Sequence, residues 1–199
     1  MGINDKCFQA LEWYFDTFPM TRSVLELGAQ NFYQNYGSVK FGCYADQYYK
    51  VKGVTRYDCI DLIGENYAMV WDLSKPVDVT EQFDLVTDFG TQEHVSTTFD
   101  CEKLYNCWTL KYDLASRHIL SVNPKTGNWP GHGAYYFTPD FYRVLSQKSG
   151  LRILRLEEHY AMGNDKDGWE VLCLLEKTPR STWIDLELFE DAFAELSPA

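Results

Sequence analysis

Acidic side chains accompany successive apolar runs of this chain, and their positions suit a nucleotide-like ligand. The run 24–27 contains Glu26 and stops at Gly28, although a buried strand should exclude a charge that has no partner. Asp61 ends the next run and Asp72 ends the third. A carboxylate after the second strand can accept hydrogen bonds from both hydroxyls of a ribose. Asp72 is then placed to accept from the exocyclic amine of a purine.

The elements that must position these residues alternate between strands and helices. Apolar patterning predicts strands at 23–28, 56–62, 67–72, 83–90, 117–122, 151–157 and 169–176. It predicts helices at 5–18, 99–115 and 139–148, with a short helix and loops within 29–54. This order predicts a mostly parallel sheet with helices on both faces, whose right-handed crossovers bring the strand ends to one edge. The last two strands, joined by a polar turn at 163–168, are expected to be antiparallel neighbours.

Length and composition predict a single domain over residues 1–177, followed by an acidic amphipathic tail. The chain has 199 residues, of which 45% are hydrophobic, enough for one sizeable core. In residues 178–199, Trp183, Phe189 and Phe193 belong to an apolar helical face. The tail is therefore predicted to be a helix packed on the domain, or else a lid or a dimerisation helix that would make a homodimer.

Charge and cysteine spacing exclude several classes of protein. The formal net charge is -11, which argues against nucleic acid and anionic membranes as partners. The apolar stretches are far shorter than the ~20 residues that a bilayer requires, and the first residues lack the layout of a signal peptide. The six cysteines form no C-x-x-C pair, which favours free thiols and a cytoplasmic protein.

Four segments together resemble the class I S-adenosylmethionine-dependent methyltransferases. They are Val24-Leu25-Glu26-Leu27-Gly28, Cys59-Ile60-Asp61-Leu62, Trp71-Asp72-Leu73, and Phe83-Asp84-Leu85-Val86 with Glu93-His94-Val95. The resemblance extends over residues 20–177. It implies a seven-stranded, mostly parallel, doubly wound α/β sheet with an antiparallel last strand. It also implies S-adenosylmethionine as cofactor and a small-molecule methyl acceptor, methylated on oxygen or nitrogen.

The same resemblance implies roles for individual residues of the cofactor site. Glu26 and Gly28 would lie beside the methionine part, and Asp61 would hold the ribose, with Leu62 against the adenine. Asp72 would accept from the adenine amine, with the N–H of Leu73 nearby. The remaining predicted contacts, on the methionine and sulfonium side, are Asp88, Phe89 and Gly90.

One residue departs from the family's pattern. The loop usually reads Gly-x-Gly after the acid, whereas here Gln30 stands at the second glycine. A side chain there crowds the approach of a ligand to the backbone. Gln30 is expected either to bend away and hydrogen-bond the cofactor or to weaken its binding.

On the acceptor side, His94 and His132 are the candidates for a general base. Either imidazole could instead be a structural residue. Some O-methyltransferases of this class bind a divalent metal through Glu-x-x-Glu-His, but here the segment is Gly90-Thr91-Gln92-Glu93-His94, without the first acid. Glu93, His94 and His132 could still gather a metal, but we expect none. Asn123-Pro124 only superficially resembles the Asn-Pro-Pro-Tyr of amino-methylating enzymes.

Of two other functions, one stays open and one is disfavoured. A non-catalytic cofactor-binding or scaffold protein is the alternative, because Gln30 could mark a degenerate loop. A nicotinamide-dependent oxidoreductase is disfavoured, since Gly-x-Gly-x-x-Gly does not follow the first strand. Aromatic residues of the loops suit a planar or sugar-like acceptor, or else belong to the core: Phe32, Tyr33, Tyr36, Trp129, Tyr135 and Tyr136.

Overall fold

Two sheets form the framework of the protein. The computed structural model describes residues 2–77, 80–161 and 168–198. Their strands are β1 (Gly2–Ile3), β2 (Ser23–Leu27), β3 (Asn31–Phe32), β4 (Cys43–Tyr44), β5 (Arg56–Asp61), β6 (Met69–Val70), β7 (Phe83–Phe89), β8 (Ala115–Pro124), β9 (Arg152–Tyr160) and β10 (Trp169–Glu176). The turn predicted at 163–168 lies, apart from Gly168, outside the described residues.

The larger sheet has seven strands in the order β6-β5-β2-β7-β8-β10-β9. β2 pairs in parallel with β5 and β7, and β7 pairs in parallel with β8. β10 is antiparallel to both of its neighbours. The predicted α/β sheet, mostly parallel with an antiparallel last strand, is therefore confirmed.

Five helices flank this sheet within the described residues. They are α1 (Asp5–Thr17), α2 (Asp46–Val51), α3 (Cys101–Leu114), α4 (Pro139–Ser149) and α5 (Leu186–Phe193). As predicted, α4 begins after Thr138, whose hydroxyl accepts from the N–H of Phe141 at 3.2 Å. It ends at Gly150, whose φ of 68° lies in the left-handed region that glycine tolerates.

Helices cover both faces of the sheet because its buried strands are apolar on both sides. On β2, Val24 belongs to the cluster formed with α1 and α2. Its neighbours Leu25 and Leu27 belong to the cluster formed with α3, α4 and α5. Successive side chains of a strand point to opposite faces, so this one strand contributes to both cores.

Several predicted strand boundaries are wrong, among them the end predicted at 157, since β9 continues to Tyr160. The third strand, expected at 67–72, is only Met69–Val70. A 3₁₀ turn at Glu65–Tyr67 precedes it, in which Asn66 and Tyr67 have positive φ. The fifth strand, expected to stop at Val122, continues through Pro124, because β10 pairs with it as far as Glu170–Pro124.

The long segment after Gly28 contributes β3 and β4 to a second sheet of three short strands, in the order β1-β3-β4, whose first strand comes from the amino terminus. Its Phe32 is buried in the cluster beneath α1. On the opposite face, Phe189 of α5 is buried in the cluster with α3 and α4. In the described part of the chain, no helix is both long enough and apolar enough to cross a membrane.

Candidate active site

A cavity of about 250 Å³ opens at the carboxyl ends of β2, β5 and β7, where open α/β sheets bind their ligands. Its wall includes seven of the ten residues predicted to hold a cofactor: Gly28, Gln30, Asp61, Leu62, Asp72, Leu73 and Gly90. It also includes six residues that were not predicted to hold the cofactor: Ala29, Ile60, Trp71, Thr91, His94 and Val95. Of these only His94 was a candidate, for a different role.

Asp61 is the last residue of β5 and is held by two backbone groups. Its Oδ2 accepts from the N–H of Ala29 at 2.9 Å and its Oδ1 accepts from that of Ile63 at 3.2 Å. Each oxygen keeps a lone pair free of these bonds, since a carboxylate offers about four acceptor sites. Asp61 thus presents two oriented acceptors on the cavity wall.

Asp72 lies on the same wall but is engaged by its own turn. Its Oδ1 accepts from the N–H and the hydroxyl of Ser74, and its Oδ2 forms an ion pair with Lys75 at 3.0 Å. These hydrogen bonds lower the pKa of the Asp72 carboxyl. Leu73 is buried beside it, whereas Leu62 is 65% exposed and offers an apolar surface at the cavity mouth.

Gln30 is folded back toward the ends of the strands. Its Nε2 donates to the carbonyl of Leu27 at 3.3 Å and to the hydroxyl of Thr91 at 3.0 Å. A Cβ built on Gly28, whose φ is +79°, would lie 2.7 Å from this amide. The buried amide therefore packs against Gly28, and the cavity beside it stays open.

Glu26 lies beneath the loop and does not line the cavity. Its Oε2 accepts from the N–H of Gln30 at 3.2 Å and from the hydroxyl of Tyr57 at 2.8 Å, and its Oε1 accepts from Tyr49 at 3.2 Å. Complete burial raises the pKa of this carboxyl to about 8, although the three hydrogen bonds oppose the shift. Glu26 supports the loop from below.

Asp88 and Phe89 also lie under the cavity instead of lining it. The Asp88 Oδ1 accepts from the N–H groups of Thr91 and Gln92 at 2.9 and 3.3 Å. Its Oδ2 pairs with Lys111 of α3, and both side chains are buried. Lys111 could not be predicted as a buried residue, because a lysine on a helix is ordinarily solvated.

A second cavity of about 240 Å³ lies on the other side of Gly90, which contributes to both walls. Its other walls come from distant parts of the chain: Gly2, Asn4, Cys7, Tyr33, Phe89, Glu93, Val122, Pro124, Trp129, His132, Ala161 and Glu170. A third, shallower cleft joins His94 to His132. The two predicted histidines therefore lie at the junction of the three spaces.

Glu93 approaches both imidazoles. Its Oε1 lies 3.7 Å from the Nε2 of His94 and 3.7 Å from the Nε2 of His132. Its Oε2 accepts from the amide of Asn123 at 3.2 Å, a residue that the sequence did not predict to belong to the site. Burial raises the pKa of Glu93, and burial together with the neighbouring His132 lowers that of His94.

The aromatic residues of the loops divide between pocket and core. Tyr33 and Trp129 line the second cavity. Phe32, Tyr135 and Tyr136 are buried, and Tyr36 packs against the cluster beneath α1. The sequence could not separate these two groups, because both consist of the same residue types between the same elements.

The strand order and the clefts at the carboxyl edge define the class I methyltransferase fold. Solved structures share it. The N-methyltransferase NodS from Bradyrhizobium japonicum WM9, in complex with S-adenosyl-L-homocysteine, aligns at a TM-score of 0.57 and 10% identity over 87% of this chain and 88% of that chain.

Magnesium protoporphyrin IX methyltransferase (ChlM) from Synechocystis PCC 6803, with bound S-adenosylhomocysteine, aligns at a TM-score of 0.56 and 13% identity over 85% of this chain and 81% of that chain. The 1,6-didemethyltoxoflavin-N1-methyltransferase of Burkholderia thailandensis aligns at a TM-score of 0.53 and 13% identity, over 85% of this chain and 77% of that chain. Neither a family model nor a curated protein matches this chain by sequence. At these identities the likeness concerns the fold.

Proposed function

We propose that this protein transfers a methyl group from S-adenosylmethionine to a small-molecule acceptor. The observation that carries the proposal is the pair of cavities on either side of Gly90, the first lined by Asp61 and the second bordered by His132. A transferase needs two such sites in contact, because positioning the reactants in line supplies most of the rate enhancement. Neighbouring structures that contain S-adenosylhomocysteine support the assignment of the first cavity.

The residues of the first cavity fit this cofactor. Asp61 keeps acceptor positions for two ribose hydroxyls, and Leu62 and Leu73 offer apolar surface for a purine. Gln30 is anchored to Leu27 and Thr91 and leaves the cavity open. This position of Gln30 supports cofactor binding over the non-catalytic alternative.

The second cavity is the proposed acceptor site. S-adenosylmethionine supplies an activated methyl group on a sulfonium, so the protein has only to orient the acceptor and remove its proton. His94 and His132 border the junction, where their imidazoles can contact the acceptor and assist the loss of its proton. The net charge of -11 supports a small acceptor instead of a polyanion.

The test is the binding of S-adenosylhomocysteine, measured by calorimetry and by thermal shift. We expect the wild type to bind and Asp61→Asn to bind at least about tenfold more weakly, because charge-assisted hydrogen bonds contribute roughly 1.5–3 kcal/mol. Asp58→Asn is the matched control, since Asp58 lies on the same strand but pairs with Arg56 at 3.1 Å. Absence of binding to the wild type, or equal losses in both variants, would contradict the proposal.

A further inference from the structure

One carboxylate and two imidazoles lie around a common point in the structure. They belong to Glu93, His94 and His132. Their ligating atoms all lie within 4.8 Å of one another, and the Glu93 Oε1 is 3.7 Å from each imidazole Nε2. In the plane of these three atoms, the point equidistant from them lies at most about 2.4 Å from each, so a small contraction gives the ~2.0–2.2 Å of transition-metal bonds.

The Glu93 Oε1 is the unusual atom of this cluster. It is buried and has no hydrogen-bond partner among the residues that the structure describes. A buried carboxylate oxygen without a partner is costly. This one faces two nitrogens at 3.7 Å, which is too long for a hydrogen bond and too short for an intervening water. A cation between the three atoms would satisfy the oxygen.

Surrounding residues fix these ligands in place. The Asn123 amide donates to the other oxygen of Glu93 at 3.2 Å, and Asn123 in turn accepts from Tyr142 at 3.0 Å. A Cβ on Gly133 would lie 2.8 Å from Glu93, so the glycine permits the loop that carries His132 to approach. Such secondary contacts are typical of metal sites, where they orient the ligands.

Contrary to the expectation from the sequence, we propose that Glu93, His94 and His132 form a site for one divalent transition-metal ion. Imidazole ligands favour ions such as Zn²⁺, Co²⁺ or Fe²⁺ over Mg²⁺ and Ca²⁺. Three protein ligands leave further coordination positions open, as in catalytic metal sites. Because His94 and His132 border the acceptor cleft, an acceptor with oxygen donors would fill those positions. This last step rests on the proposed function.

The experiment titrates Co²⁺ into metal-free protein and follows visible absorption and calorimetric heat. We expect one ion to bind the wild type, and His94→Asn and His132→Asn each to bind at least about tenfold more weakly, because each removes one of three ligands. Both side chains are partly exposed, so these variants should fold. His159→Asn is the control, since His159 pairs with Glu170 outside the cluster.

Two further measurements separate this proposal from the proposed function. Asp61→Asn should leave Co²⁺ binding unchanged, and His132→Asn should still bind S-adenosylhomocysteine. A wild type that binds Co²⁺ but does not bind S-adenosylhomocysteine would overturn only the methyltransferase function. A wild type that does not bind Co²⁺, or variants at 94 and 132 that bind like the control, would overturn the metal site alone.

Discussion

At the scale of single residues, Glu26 shows that the most conspicuous acid of the sequence supports the site without lining it. Ligands of open α/β sheets bind at the carboxyl ends of the strands, and this rule correctly predicted that Asp61, Asp72 and Gly90 line one cavity. It does not distinguish an acid at the end of a strand from one within it, whose side chain points into a core. Glu26 is of the second kind, and it stabilises the loop through the N–H of Gln30.

Burial of Glu26 predicts an unusual dependence of stability on pH. Its pKa is about 8 in the folded protein, against an ordinary value of 4.5. Between these values the folded protein retains a proton that the unfolded chain has lost, so this group lowers the free energy of unfolding as pH rises. Glu26→Gln removes the titration, and its stability relative to wild type should therefore increase from pH 5 to pH 9.

Urea denaturation at several pH values measures this difference. Glu190→Gln, at an exposed position of α5, is the control and should show a difference that does not change with pH. A constant difference for Glu26→Gln as well would mean that Glu26 is ionised throughout.

Some site residues could not be predicted from local sequence. Asn123 was set aside because its motif did not match, yet it holds Glu93. Lys111 has nothing in its neighbourhood along the chain that indicates burial. Each of these residues lies beside the site only because separate elements pack together. The residue pattern within a single element does not indicate that packing.

At the scale of elements, the buried pair of Asp88 and Lys111 fastens α3 to the end of β7. The Lys111 ammonium also donates to Ser121 of β8 at 3.3 Å and lies 4.2 Å from the ring centre of Trp108. The pair therefore joins a helix to two strands directly beneath both cavities. Its expected role is to fix the strand end from which Gly90 and Glu93 follow.

Breaking this pair should be costly. Lys111→Met leaves a buried carboxylate without its cation, and we expect a loss of about 3–5 kcal/mol in the free energy of unfolding. Lys103→Met on the same helix, where the lysine is partly exposed, should cost less than about 1 kcal/mol. The double variant Lys111→Met/Asp88→Asn should recover part of the loss. Additive effects in urea denaturation would show instead that the two groups act independently.

Elements with two packed faces were the easiest to predict, and those at edges the hardest. β2 and β7 were predicted within one residue of their ends because each run of apolar residues stops at a glycine, Gly28 or Gly90. β6 has one partner strand and is preceded by residues with positive φ, so its length follows from the turn more than from its apolar pattern. The length of β8 depends on β10, which lies about 50 residues further along the chain.

At the scale of the whole molecule, α5 completes the core formed with α3 and α4. Phe189 is fully buried, and it contacts the rings of Tyr105 and Phe141 at centroid distances of 5.5 and 6.1 Å. The neighbouring Leu188 is exposed. Residues 186–193 thus contribute to the same core as the sheet.

This packing predicts that the helix unfolds together with the domain. Phe189→Ala should lower the free energy of unfolding by about 3–5 kcal/mol, because it leaves a cavity in a packed core. Leu188→Ala should change it by about 0.5 kcal/mol. Urea denaturation followed by circular dichroism measures both, and wild type should show one transition. A separate early transition, or equal effects of the two substitutions, would mean that α5 is only loosely attached.

The insertion of β10 between β8 and β9 has a consequence for synthesis. Every residue that lines the first cavity lies within 28–95, and the strands that carry it pair with one another in parallel before the chain reaches α3. The second cavity needs both Gly2 and Glu170, and β9 has no partner in the large sheet until β10 is made. On a ribosome, which releases the amino terminus first, the first binding surface can form well before the second one exists.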